Sequence, residues 1–141
     1  MDYKKLIEKR NKPGDFATDI GVKILEIREG YACGELLIKK VHINPINAVH
    51  GGVIFTFADM VGASSTAFCE NRVATLNGTI NFLNAAIGVE KLIAEASVIK
   101  HGKNTMVVNV NITDEKETFI ASTTFTYYIL KKMKITFEDE N

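Results

Sequence analysis

The fold of this chain is decided by residues 44–59, which read NPINAVHGGVIFTFAD. A polar loop leads through His50 and the pair Gly51-Gly52 into an apolar segment whose only acid or base is Asp59. A lone carboxylate in apolar surroundings costs free energy to desolvate. A protein that keeps one there often uses its charge for chemistry. Glycines at the start of a helix leave backbone N–H groups accessible to a ligand. Together these features indicate an acyl-transfer or hydrolysis site.

The apolar segment continues to residue 69 without a proline, and it is apolar on nearly every helical face. This pattern predicts a long buried helix over residues 51–69. Strand-like runs lie on both sides of it. The spans that we predict as strands are residues 20–27, 31–41, 73–83, 89–100, 105–112 and 118–130.

The short connections between these runs predict antiparallel pairing. A helix that is apolar on all sides needs more cover than one sheet face provides, so we expect a sheet wrapped around it and a partner subunit against it. We predict one α+β domain over residues 1–141. Residues 1–19 are expected to form a short helix and lead-in, and residues 132–141 a flexible tail.

Composition narrows the class of protein. Lys plus Arg equals Asp plus Glu in the 141 residues, which argues against nucleic acid or an anionic membrane as the partner. The charged N-terminus is not typical of a signal peptide, and Cys33 and Cys69 fit no disulfide framework, so we expect a cytoplasmic protein. No segment approaches the roughly 20 apolar residues that cross a bilayer. The three histidines lack metal-ligand spacing, and we expect no metal.

Gly51 and Asp59 are the first candidates for chemistry. A helix-start N–H placed against a thioester carbonyl is an oxyanion donor, although Gly51-Gly52 is equally explained by tight packing of the helix. At 1.5 Å per residue, Gly51 and Asp59 are about 12 Å apart along the helix axis. One carbonyl cannot reach both, so a site that uses both takes them from two subunits. The alternative for Asp59 is a structural cap or a buried ion pair.

Four further residues have a structural and a functional interpretation. Asn44 supplies a side-chain N–H to the site or closes a turn with Pro45, and His50 orients the loop rather than acting as a free base. Thr75 holds a water near Asp59 or is only a good strand former. Lys103 contacts phosphate or belongs to a charged hairpin turn.

The pattern Asn44-x5-His50-Gly51-Gly52-x6-Asp59, the apolar helix and the strands after it resemble the hotdog-fold thioesterases of the phenylacetate-pathway (PaaI-like) type. The resemblance spans about residues 20–130. It implies a hotdog fold, with a long central helix wrapped by a six-stranded antiparallel sheet. It also implies homodimers with sites at the interface, paired into homotetramers, and acyl-CoA thioesters as substrates. Coenzyme A enters as part of the substrate, and no separate cofactor is expected.

The resemblance also implies roles for individual residues. Gly51, with Gly52 beside it, corresponds to the residue whose backbone N–H polarises the thioester carbonyl. Asn44 corresponds to the residue whose side-chain amide supports that N–H. The nucleophile or general base falls on Asp59 of the other chain, and the water-placing hydroxyl falls on Thr75.

The chain departs from the family at the end of the strand after the helix. Many relatives have a basic residue and a proline there, whereas this chain has FLNAA at residues 82–86. We therefore expect Arg72 or Lys103 to contact the CoA phosphates instead.

The sequence leaves two alternatives to an acyl-CoA thioesterase. One is a non-catalytic hotdog module that binds acyl-CoA, in which Asp59 would be an unnecessary cost. The other is a hotdog dehydratase or hydratase acting on acyl thioesters. Such an enzyme needs a pair of histidine and acid, and His50 has no evident acidic partner in the sequence.

Overall fold

The computed structural model describes residues 1–138 of the chain. It has three α-helices, two short 3-10 helices and six strands among these residues. The order of the α-helices and strands along the chain agrees with the prediction apart from one extra short α-helix. The helices are α1 (Tyr3–Arg10), α2 (Phe16–Asp19) and α3 (Gly51–Ser65), and the strands are β1 (Val22–Arg28), β2 (Tyr31–Leu37), β3 (Asn71–Phe82), β4 (Lys91–His101), β5 (Thr105–Asp114) and β6 (Phe119–Lys134).

The six strands form one antiparallel sheet in the order β1-β2-β4-β5-β6-β3. The alternation of apolar residues in β1 slips after Ile24, and the structure has a register shift between Ile24 and Glu26 at that point. The second strand ends at Leu37, earlier than predicted, because residues 40–42 form a turn of 3-10 helix. β3 lies at the edge of the sheet, so its outer side is unpaired within the chain.

The central helix α3 packs along the inner face of the sheet. Ile54, Phe57, Ala58 and Val61 are fully or almost fully buried, and their spacing defines one helical face. The opposite face, with Val53, Phe55, Met60 and Ala63, is only partly buried. The hotdog fold is therefore confirmed, and within one chain the sheet covers one face of the helix. One sheet covers one face of a helix and leaves the other half open.

Hydrogen bonds hold the segments near both ends of the described residues. Asn11 fastens the N-terminal segment by hydrogen bonds of 2.8 Å to both the backbone N–H and the carbonyl of Ile24. The predicted tail begins inside β6, which reaches Lys134 because its end pairs with the start of β3. Lys9 Nζ then donates to the carbonyl of Thr136. The tail prediction is wrong for residues 132–134, and residues 139–141 lie outside the described part.

One helical stretch, Gly51–Cys69, has the length and composition of a membrane span. It comprises 19 residues, and about half of it is buried in the protein. The expectation that no segment approaches this length is therefore wrong. Burial explains the composition, because α3 is the core helix against which the sheet packs.

Candidate active site

Asp59 lies in the middle of α3 on the side that faces β3 and β6. Thr75 of β3 donates a hydrogen bond of 2.9 Å from its hydroxyl to Oδ1 of Asp59. The phenol of Tyr127 in β6 donates to the same oxygen at 3.0 Å and to the backbone carbonyl oxygen of Asp59 at 2.9 Å. Among residues 1–138, Oδ2 of Asp59 accepts no hydrogen bond. We call Asp59, Thr75 and Tyr127 the carboxylate half-site.

Tyr127 is the residue of this half-site that the sequence interpretation missed. Its side chain is fully buried. Burial, and then the negative charge of Asp59, raise the pKa of Tyr127 far above the usual value of a phenol, so the hydroxyl stays a donor. The signal in the sequence was a tyrosine in the buried stripe of β6, because a buried phenol requires a polar partner. The partner could not be identified, since it is 68 positions away on another element.

A glycine on α3 makes the approach of Tyr127 possible. Gly62 lies one turn after Asp59, and a Cβ atom at Gly62 would clash with the hydroxyl oxygen of Tyr127. Val110 would meet the same Cβ atom at 3.1 Å. The glycine therefore lets the helix and the phenol come close enough for the hydrogen bond to form.

The start of α3 is organised by His50, which caps the helix. Nδ1 of His50 accepts a hydrogen bond of 2.8 Å from the N–H of Gly52, and its carbonyl accepts from Val53 and Ile54. This places the ring proton of a neutral His50 on Nε2. The N–H of Gly51 has no acceptor among the described residues. We call Asn44, His50, Gly51 and Gly52 the helix-start half-site.

Asn44 has the side-chain geometry of a turn-forming residue. Its Oδ1 accepts hydrogen bonds of 3.1 Å and 3.0 Å from the N–H groups of Ile46 and Ala48. The two bonds fix which end of the amide is oxygen, and Nδ2 meets no acceptor within residues 1–138. Asn44 and Gly51 line the same cleft of about 390 Å³. The side-chain oxygen of Asn44 thus closes the turn, and its side-chain N–H groups stay available to a ligand.

The segment 82–86 forms the other wall of this cleft. The ring of Phe82 lies over Gly51, where an added Cβ atom would be 2.9 Å from its Cζ. Asn84 donates from Nδ2 to the carbonyl of Phe119 at 2.8 Å. The segment therefore presents apolar surface to the helix start.

The two half-sites are not together in one chain. α3 is continuous from Gly51 to Ser65, and Asp59 is about 12 Å from Gly51 along its axis. Thr56 and Asp59 line a separate groove of about 280 Å³, which shares no residue with the cleft at Gly51. Each chain thus presents one of each half-site.

The two predicted phosphate contacts lie away from the helix start. Arg72 is near the beginning of β3 and lines a cavity with Arg10 of α1. Lys103 is exposed in the turn between β4 and β5. Both are at the end of the sheet where α3 finishes. Within residues 1–138, no group of three or more His, Cys, Asp or Glu side chains could hold a metal ion.

Known proteins resemble this chain in sequence and in shape. The family model described as the thioesterase superfamily matches residues 46–121. A 1,4-dihydroxy-2-naphthoyl-CoA hydrolase of Listeria monocytogenes is 32% identical over 119 residues, covering 82% of this chain and 95% of the relative. The acyl-coenzyme A thioesterase PaaI of Escherichia coli is 27% identical over 105 residues, covering 74% of this chain and 75% of that protein.

The solved structure of the E. coli PaaI protein, from the phenylacetic acid degradation operon, superposes with a TM-score of 0.80. The match has 25% sequence identity and covers 85% of this chain and 86% of that one.

Proposed function

The chain belongs to the thioesterase superfamily, and from this premise we propose that it hydrolyses acyl-CoA thioesters to a free acid and coenzyme A. Two of its relatives are named as hydrolases of CoA thioesters. One observation carries the proposal for this chain. The Asp59 carboxylate is held at Oδ1 by two hydroxyl groups on an otherwise apolar helix, and Oδ2 is left to react.

Asp59 supports either of two routes. In the first, Oδ2 attacks the thioester carbon, the CoA thiolate leaves, and water hydrolyses the resulting anhydride. In the second, Oδ2 takes a proton from water as that water attacks the same carbon, and the thiolate leaves when the tetrahedral intermediate collapses. Both routes need an ionised carboxylate in a fixed orientation. Thr75 and Tyr127 provide the orientation through Oδ1.

The helix-start half-site supplies the polarising donors. The N–H of Gly51 points out of the first turn of α3, where the helix dipole favours negative charge. Nδ2 of Asn44 lines the same cleft and adds a second donor. Such a donor typically contributes about 3 kcal/mol to stabilising the developing oxyanion. His50 holds the turn in place by accepting from Gly52.

A complete site takes its half-sites from two chains, because Gly51 and Asp59 of one helix are too far apart to touch one carbonyl. Two α3 helices running antiparallel across an interface would bring them together. The unpaired edge of β3 and the half-open face of α3 support this arrangement. Apolar side chains exposed near both features are Ile46, Leu76, Phe82 and Leu83. We expect a homodimer, with dimers pairing into tetramers.

Arg72 and Lys103 are the proposed contacts to the CoA phosphates. They lie at the end of the sheet where α3 finishes, which an antiparallel partner would bring near its own helix start. The reaction requires no cofactor besides the CoA portion of the substrate.

The two alternative functions are less well supported by the geometry. A hydratase or dehydratase needs a histidine that can accept a proton. In a neutral His50 the proton is already on Nε2, because Nδ1 accepts from the N–H of Gly52. A module that only binds acyl-CoA does not need a carboxylate with two dedicated hydroxyl donors and one unoccupied oxygen.

A panel of acyl-CoA esters tests the proposal, with release of the CoA thiol followed optically. We expect saturable thiol release from at least one ester, and loss of that release in Asp59→Asn. Binding without thiol release would show a binding module. A change in the acyl group without thiol release would show a hydratase. Either result would contradict the proposed hydrolysis.

A further inference from the structure

The base of the helix-start half-site contains a buried histidine that the proposed mechanism does not use. His42 ends the turn of 3-10 helix before the half-site, and its side chain is 1% exposed. A buried polar side chain costs free energy unless its donor and its acceptor both find partners. His42 does not line the cleft at Gly51, so it does not contact a substrate there.

Both ring nitrogens of His42 have partners, and these partners fix the tautomer. Nε2 lies 2.6 Å from the carbonyl oxygen of Ile20, which can only accept, so Nε2 carries the proton and donates. Nδ1 accepts a hydrogen bond of 2.9 Å from the N–H of Lys39. The neutral ring therefore joins the end of α2 to the turn that precedes the half-site.

The backbone of His42 closes the loop that carries the polarising groups. The His42 carbonyl accepts a hydrogen bond of 2.8 Å from the N–H of His50, and an antiparallel bridge follows one residue further into the loop. Residues 43–49 thus form a closed loop with His42 and His50 at its base. Asn44 lies in this loop, and α3 begins directly after it.

The side chain of His50 is exposed and does not tie this loop to the core. Its ring accepts from Gly52, which belongs to the helix that follows. The end of the loop is held by a hydrogen bond of 3.0 Å from the N–H of Val49 to the carbonyl of Ala86. The beginning of the loop is held by the buried ring of His42.

We propose that His42 is a positioning residue for the hydrolysis, whose ring keeps the N–H of Gly51 and the side-chain N–H of Asn44 aimed at one thioester carbonyl. The inference rests on the proposed thioesterase function. Groups that act in a transition state must be held within about 0.5 Å of their productive positions, and a misplacement of about 1 Å can cost about 100-fold in rate. A neutral imidazole suits this role, because one rigid ring carries both a donor and an acceptor.

The experiment compares His42→Ala with Asn11→Ala. Asn11 is a matched control, since its side chain also makes one donor and one acceptor bond to the backbone, both of 2.8 Å to Ile24. Both variants should lose stability. Only His42→Ala should also lower kcat, about 10- to 100-fold with KM unchanged, when both are assayed below their unfolding temperatures. Equal effects on kcat in the two variants would overturn the inference.

A cycle of double substitutions tests through which group His42 acts. Added to Gly51→Pro, which has already lost the N–H, His42→Ala should lower kcat by a much smaller factor than in the wild-type protein. Added to Tyr127→Phe, in the other half-site, it should lower kcat by the full factor. The same factor in both backgrounds would make His42 structural only and would overturn the inference.

If His42→Ala does not fold, His42→Asn and His42→Gln replace it, since Asn retains the acceptor of the ring and Gln the donor. A measurement without substrate separates this inference from the proposed function. The backbone amide resonance of Gly51 in NMR spectra should shift in the His42 variant and stay in place in Asn11→Ala. An unmoved resonance would contradict the positioning role. Absence of all hydrolysis by the wild-type protein would instead contradict the proposed function.

Discussion

Around Asp59 the protein uses side chains from three elements, of which Tyr127 is fully buried, whereas around Gly51 it uses backbone groups and a turn. The carboxylate half-site depends on β3 and β6 to place Thr75 and Tyr127, so it forms only when the core is packed. The helix-start half-site depends on residues within a few positions of one another, with His50 capping Gly52. The first half-site is therefore a product of tertiary structure and the second of local sequence.

This difference predicts different consequences of substitution. Changes in the carboxylate half-site should affect activity and stability together, because the same groups serve the core and the site. Changes at Gly51 should affect activity with little change in stability, because its N–H bonds to no protein group among the described residues.

The largest effect should come from Asp59→Asn, which removes the charge and keeps the size of the side chain. We expect kcat to fall about 10²- to 10⁴-fold while substrate binding persists, because only the transition state needs the charge. Steady-state kinetics and calorimetric binding measure the two. Thr56→Ala is the control, since Thr56 lines the same groove but donates to the carbonyl of Gly52. Near-normal turnover by a folded Asp59→Asn would remove Asp59 from the mechanism.

The next effect should come from Gly51→Pro, compared with Gly51→Ala. Both place a Cβ atom against the exposed ring of Phe82, which can move aside, but only proline removes the N–H. Loss of one oxyanion donor should lower kcat about 10²- to 10³-fold. Stability should be similar for the pair, since proline is favoured at the first helical position. Equal losses of activity in both variants would assign the effect to Phe82.

A smaller effect is expected from Tyr127→Phe, because the carboxylate keeps its charge and the bond from Thr75. Loss of the phenol donor should lower kcat about 10-fold, because the carboxylate loses one of the two hydroxyl groups that orient Oδ1. Tyr128→Phe, at a side chain 43% exposed on the same strand, should change nothing. Thr123→Val deletes another buried hydroxyl of β6, which donates to the carbonyl of Val110, and measures the purely structural cost. An equal fall in kcat in Tyr127→Phe and Thr123→Val would make Tyr127 structural only.

The smallest effect concerns stability at alkaline pH. The pKa of Tyr127 is raised in the folded protein, so above the unfolded value of about 10 only the unfolded chain releases this proton. Stability contributed by the protonated phenol is present below pH 10 and is lost as the pH rises further. Denaturant unfolding should therefore show the wild-type protein losing about 1.4 kcal/mol per pH unit more than Tyr127→Phe above pH 10. Parallel slopes for the two proteins would contradict this.

The elements of the fold were predictable from the sequence because each has a local signal. Apolar residues on successive turns marked α3, and the slip in the alternation of β1 marked its bulge. The four-residue helix α2 has no such repeat, and the true end of β6 depends on pairing with the start of β3. Features that rest on contacts between distant residues were missed.

In the candidate site too, residues close together in the sequence were predicted, and a residue distant in the sequence was missed. Gly51, His50 and Asn44 form a motif within one loop, so their spacing was visible in the sequence. Tyr127 lies 68 positions from Asp59 in the sequence and meets α3 only in the folded protein. A tyrosine in a strand is ordinary on its own, and only the burial of its hydroxyl distinguishes it.

The central claim is that one active site takes Gly51 from one subunit and Asp59 from the other. Gly51→Pro and Asp59→Asn are each expected to be nearly inactive, and a mixture of the two chains forms heterodimers in which one site has both groups intact. With random exchange of equal amounts, activity should recover to about a quarter of the wild-type value. Differently tagged chains show by co-purification that exchange has occurred. Activity that stays at the level of the two parent variants in proven heterodimers would contradict the shared site.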